Sequence, residues 1–317
     1  MPTVRPGQLD LEFELASRPP PVTRHIAVNG LRLACLEWPG ERSPLICLPH
    51  LTGHKGSYTN LAERLAPEYR VLALDLRGRG DSDKPEDGYG FAYHARDILA
   101  FADALGIDRF ALIGHSFGAT TAAYLASIRP ERVSALVLLD GGADPREDML
   151  KAMYSTIRRL DRVYPSLEAW LEAQRGLPFH QPWSTAFERY FIEEAETLPD
   201  GCVRSRSSAA SIERDMDQHF MYCMCLHFPN VRCPVLFLRP ANGLMGGKGH
   251  VFSEAEAANI VRHIPHCWRV DVPGVHHYTI LLHDDPPVVQ PIREFLDETL
   301  PPLPTGEGTG VREESEP

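Results

Sequence analysis

The chain of 317 residues has no apolar run approaching the roughly 20 residues that a bilayer-spanning helix needs. It also lacks a basic excess: 32 Lys and Arg stand against 43 Asp and Glu, a formal net charge of −11. That balance disfavours nucleic acid and anionic membrane surfaces as partners and leaves a small molecule as the expected one. The opening stretch MPTVRPGQLDLEFELASRPPP has neither a basic start followed by an apolar block nor a cleavage signal, so a cytoplasmic location is expected. Cysteine is sparse and odd in number, seven in all, which does not make a disulfide framework and implies reduced thiols. Cys223 and Cys225 are one residue apart with only His219 and His227 nearby, a poor zinc spacing, and read as buried apolar side chains. No metal-ligand spacing, phosphate-binding glycine loop or dinucleotide fingerprint occurs, because Gly78-x-Gly80 lacks the following glycine and helix. No cofactor or metal is implied.

What is present is a globular composition, 43% hydrophobic and 24% charged. Apolar, branched runs at 45–48, 71–74, 110–113, 133–139, 235–238 and 268–272 read as strands, and helical patterns fall at 57–65, 91–105, 117–127 and 253–264. Near-continuous apolar strands separated by helices indicate an α/β fold, a mostly parallel sheet covered on both faces. Runs at 25–28 and 31–36 flank Asn29-Gly30, a pair suited to a tight hairpin, so the sheet should open with antiparallel strands. The alternation breaks at 143–229, where MLKAMYSTIRRLDRVY, SLEAWLEAQRGL and SAASIERDMDQHFMYCMCL carry helical periodicity broken by prolines. This segment is too long for a loop and reads as a helical cap over the carboxyl ends of the strands. The expected organisation is a core of 22–142 and 230–299, the cap at 143–229, a mobile segment at 1–21 and a disordered polar tail at 300–317.

Within this frame GHSFG, residues 114–118, follows a strand and opens a helix. A sharp turn there would lift the Ser116 hydroxyl above the sheet. Gly114 and Gly118 would sit where a β-carbon meets neighbouring backbone, and the residue between them would take a strained conformation. That context makes Ser116 the candidate nucleophile.

Together with GHSFG, the stretches LPHLTGHKGS at 48–57, LDLRGRGDSDKP at 74–85 and VPGVHHYTI at 272–280 resemble the oxyanion loop, post-strand turn and catalytic-histidine segment of the α/β-hydrolase superfamily. The resemblance spans about residues 22–299. It implies the α/β-hydrolase fold and chain order nucleophile, acid, base. A serine hydroxyl needs a base oriented by a carboxylate. The resemblance gives the base position to His277, with His276 as its neighbour, and leaves His115 to pack beneath the elbow and His50 as a structural head of the oxyanion loop. Many relatives carry the acid after the strand that follows the cap, but VLFLRPANGLMGGKGH, residues 235–250, holds no Asp or Glu. A minority carry it at the end of the strand that precedes the cap. Here that is Asp140, with Asp144 in reserve. Oxyanion donors would be the backbone amides of Phe117 and Thr52, with Leu51 replacing Thr52 if the loop is shifted by one.

The reaction expected is hydrolysis of a carboxylic ester, thioester or lactone through an acyl-enzyme. A carbon-carbon bond hydrolase, a biosynthetic tailoring enzyme and a non-catalytic small-ligand receptor are the alternatives on the same scaffold. Serine at 116 argues against epoxide hydrolases and haloalkane dehalogenases, which use aspartate. Leu51, Met153, Tyr154, Trp170, Phe220, Met221, Tyr222 and Met224 could line an apolar substrate pocket, although such side chains are commonly plain helix core.

Overall fold

The computed structural model describes residues 20–143, 157–219, 222–244 and 249–300. Eight strands form one sheet. β1 (Val22–Val28) and β2 (Leu31–Trp38) are an antiparallel hairpin turning on Asn29 and Gly30, both at positive φ. β2 runs antiparallel to β4 (Tyr69–Leu74), as the sequence implies for the opening of the sheet. From there β4, β3 (Arg42–Leu48), β5 (Phe110–His115), β6 (Val133–Leu139), β9 (Val235–Pro240) and β10 (Cys267–Val272) are all parallel.

Period-two alternation distributes each strand between two cores. Ile46, Leu48, Leu112, Leu136 and Leu138 face one core with α2 (Phe91–Ala104), α3 (Phe117–Ile128) and α7 (Glu254–His263). Leu45, Cys47, Ala111, Ile113, Val137 and Leu139 face the other with α1 (Thr59–Leu65) and α8 (Val289–Thr299). Burial on both faces explains why the strands read as continuous apolar runs.

Between β6 and β9 lie α4 (Leu167–Arg175), α5 (Thr185–Glu194) and α6 (Ala209–His219), together with a two-stranded ribbon of β7 (Ala195–Thr197) and β8 (Val203–Ser205). Among the described residues the helical patterns of the sequence correspond to α4 and α6 and leave out α5, and strands of three residues are too short to leave a periodic trace, so the pattern does not show the ribbon either. Trp170, Leu171, Phe187, Tyr190, Phe191 and Val203 make a separate core for this insert, closed by Leu282 from the sheet domain. Cys223 and Cys225 depart from the sequence reading. Both are exposed, their Sγ atoms 2.7 Å apart, because they fall on a short 3-10 turn beyond α6 and not on its buried stripe. Among the described residues no helix is long and apolar enough to cross a membrane, and no cluster of three or more potential metal ligands occurs.

Candidate active site

Ser116 joins β5 to α3 at φ 54°, ψ −117°, a left-handed conformation that costs an L-residue of order 1–3 kcal/mol and persists only where its surroundings enforce it. The enforcement is visible on both sides. Ser116 N–H donates to Leu139 O of β6 at 2.9 Å, and Ser116 O accepts from Ala119 N at 2.9 Å and Thr120 N at 3.1 Å. A β-carbon on Gly118 would lie 2.1 Å from Leu48 O, and one on Gly114 would lie 2.4 Å from Gly118 O. Both glycines therefore meet the close-approach requirement that the GHSFG pattern suggests.

β5 and β6 are paired so that His115 stands opposite Leu139, which puts Ser116 and Asp140 side by side at adjacent strand ends. Asp140 is also left-handed, φ 41°, and its N–H donates to Leu238 O of β9 at 2.9 Å. Its carboxylate is buried, and Oδ2 lies 2.7 Å from His277 Nδ1. His277 stands on the loop beyond β10. That loop is tied to the segment after β9 by Ala241 N–H to Val272 O, 2.8 Å, and Asn242 N–H to Val275 O, 3.1 Å. The segment after β9, where the resemblance would place a carboxylate, thus ties to the histidine loop through its backbone. His276 turns the other way, its Nε2 2.7 Å from Gln181 O in the insert. Asp144 lies outside the described residues.

His115 Nε2 is 2.8 Å from His277 O, beneath the elbow, and its ring is 4.7 Å from that of His277. Burial, and then the neighbouring His277 and His50, push His115 well below the ordinary histidine range. His50 is lowered in the same way, by burial first and then by His277, His54 and Arg159. Both rings are therefore neutral near pH 7. The two rings meet at 5.3 Å, and that of His115 packs in turn on His277.

The loop after β3 turns at His50–Gly53, closed by Gly53 N–H on His50 O at 2.8 Å. Leu51 and Thr52 are both buried; the Leu51 side chain joins the main core and its carbonyl accepts from Arg79 Nε at 2.9 Å. Phe117 is the first residue of α3, so its N–H has no intrahelical acceptor. The expected pocket residues divide. Trp170 is fully buried in the insert's own core with Nε1 donating to Phe191 O at 2.9 Å, and Met224 is fully buried in the main core. Both are packing residues, the plainer of the two readings their periodicity allows. Met153, Tyr154, Phe220 and Met221 lie outside the described residues, and Tyr222 packs against Phe91 and Tyr124 at 5.2 and 5.3 Å.

Sequence reasoning missed three features around this site. Tyr190 of the insert stacks on His54 at 4.3 Å and brings its hydroxyl to 3.5 Å from His50 Nε2. His180 is buried against Phe191, with burial and Arg159 pushing it down to about 3. Arg79 and Asp215 form a wholly buried ion pair, with His94 Nε2 2.9 Å from the same carboxylate. The third carried a signal: in SIERDMDQH, Asp215 is three residues after Ile212 and beside Met216, a charge on the apolar stripe of α6.

Residues 43–284 match the family model described as alpha/beta hydrolase fold. The chain belongs to the α/β-hydrolase family. It is 27% identical over 292 residues to a serine hydrolase-like protein of Danio rerio, covering 83% of this chain and 84% of that one. Over 159 residues it is 35% identical to the putative carbamate hydrolase RutD of Klebsiella pneumoniae, 49% of this chain and 58% of the relative, so the match spans a little over half of that enzyme. Among solved structures, E-2-(acetamidomethylene)succinate hydrolase superposes with a TM-score of 0.78 at 23% identity, over 87% of this chain and 99% of that one.

Proposed function

We propose that this α/β hydrolase cleaves a carboxylic acid derivative, an ester or a close acyl analogue, through a covalent intermediate on Ser116. The observation that carries the reading is the buried 2.7 Å contact of His277 Nδ1 with Asp140 Oδ2, the aspartate standing on the strand end that adjoins the strained serine. With Nδ1 engaged by the carboxylate, Nε2 is the ring nitrogen left to take a proton. Ser116 Oγ attacks the carbonyl carbon while its proton passes to His277 Nε2, and Asp140 offsets the imidazolium charge. The N–H groups of Phe117 and Thr52 receive the oxyanion. Collapse of the tetrahedral species breaks the bond to the leaving group, which takes the proton from His277. Water, deprotonated by the same nitrogen, then releases the acid and restores Ser116.

The partial match to a putative carbamate hydrolase supports a wider acyl range than esters, carbamates included. A panel of p-nitrophenyl esters and p-nitrophenyl N-alkylcarbamates tests both. Esters are expected to give an initial p-nitrophenol burst equal to the enzyme concentration, and carbamates a slower burst. Ser116→Ala should abolish both bursts; wild-type turnover retained in that variant would refute the reading.

A further inference from the structure

Arg79 is a fully buried arginine in the turn after β4, and its guanidinium bonds the peptide unit that carries the Thr52 amide and lies over the side chain of Phe117. Nε donates to Leu51 O at 2.9 Å, and the guanidinium carbon lies over the Phe117 ring, 5.3 Å from its centroid. Nη1 donates to Arg77 O at 2.9 Å and to Asp215 Oδ2. Nη2 is buried without a partner among the described residues, so the orientation satisfies Leu51 O at the expense of one donor. Asp215 comes from α6 of the insert. It is itself fixed by Gly90 N–H, which donates at 2.6 Å, and by His94 Nε2 at 2.9 Å, while the His94 ring stands edge-on to Phe117 at 5.4 Å.

Leu51 C=O and Thr52 N–H belong to one peptide unit, planar and trans, so their bonds point in opposite directions. An arginine that grips the carbonyl therefore fixes where the amide hydrogen points. A charged donor on that carbonyl also polarises the unit and strengthens its N–H as a donor. Two further bonds hold this turn: Gly53 N–H donates to His50 O at 2.8 Å, and Ser207 Oγ of the insert donates to Thr52 O at 3.3 Å.

The geometry points to Arg79 as a positioning residue that aims the Leu51–Thr52 amide at the substrate oxyanion and, through Asp215, makes that aim depend on the seating of the insert. This rests on the proposed function, since it presupposes an oxyanion at Ser116. The alternative is a pair that merely ties the insert to the sheet. A buried ion pair used only as a tie can be replaced by apolar side chains of similar volume with little loss of stability, and that provides the separation.

The test compares wild type with the double variant Arg79→Met, Asp215→Leu, reading kcat and KM on the best p-nitrophenyl ester. It also reads inhibition by a trifluoromethyl ketone carrying the same acyl group. The ketone captures Ser116 Oγ as a hemiketal whose oxyanion sits where the substrate's would, the serine proton passing to His277. The double variant should keep KM, lose kcat by about 10- to 100-fold, and weaken the ketone by the same factor, a fraction of what removing a donor outright costs. Unchanged kcat and unchanged ketone affinity in the folded double variant would overturn the inference. Should that variant not fold, Arg79→Lys carries the test: it keeps the charge beside Asp215 but not the forked geometry, and the same ratio decides. Failure of the proposed function is distinct, because wild type itself would then neither turn over in a Ser116-dependent way nor bind the ketone.

Discussion

Two residues of the site hold left-handed backbone, Ser116 and Asp140, and neither is a glycine. In the proposed triad the serine and the carboxylate have to project from adjacent strand ends toward a common histidine, and both positions carry backbone strain. The glycines that permit this have no room for change. Gly118→Ala would set a methyl 2.1 Å from Leu48 O, a backbone atom that cannot step aside. The expected outcome is displacement of the elbow, with ester turnover falling at least about 100-fold and the unfolding midpoint dropping, read by steady-state kinetics and thermal melts. At this scale much was legible. GHSFG predicts the turn and both close-packed glycines, and the carboxylate-free stretch at 235–250 directs attention to Asp140, now found 2.7 Å from His277. Asp215 stood out as a charge on the apolar stripe of α6, but its partner was not legible, because Arg79 lies 136 residues away in sequence.

At the scale of elements, the insert is held by its own aromatic core and by contacts back to the sheet domain. Trp170 illustrates the limit of periodicity: an aromatic at helical spacing looks the same whether it faces a ligand or a neighbour. Here Phe187, Tyr190 and Phe191 of α5 surround it. Trp170→Ala should therefore destabilise the protein by about 3–5 kcal/mol, the usual cost of emptying an aromatic core site, while acyl-length preference stays the same. Chemical denaturation and a chain-length series check the two halves. A change in acyl preference without loss of stability would return Trp170 to the pocket wall.

Taken whole, the molecule buries several histidines on the side where insert and sheet meet. His50, His115 and His180 are all held below the ordinary value near 6.5, chiefly by burial. Such a group binds fewer protons folded than unfolded, so stability rises with pH in the window between its folded and unfolded values. The protein should thus lose stability as pH falls below about 6.5, each group adding a slope of up to about 1.4 kcal/mol per pH unit until its own folded value is reached. For His180 that window runs down to about 3. His180→Gln should flatten the slope by about one proton between roughly pH 6 and 4, measured by urea unfolding across that range; an unchanged slope would mean that His180 titrates normally when folded. The fold at this scale was legible because burial on both faces of the sheet gives uninterrupted apolar runs. The β7–β8 ribbon was not, since three residues are too few to show a period.

The central claim is that Ser116 is the nucleophile and that Asp140, at the end of β6, is the acid of its histidine. Reaction with a fluorophosphonate, with the adduct located by peptide mass mapping and its rate followed in wild type and Asp140→Asn, tests both halves at once. The account predicts labelling at Ser116 alone, slowed on the order of 10³- to 10⁴-fold when Asp140 becomes a neutral amide that cannot offset the imidazolium. No adduct on Ser116, or an equal rate in Asp140→Asn, would contradict it.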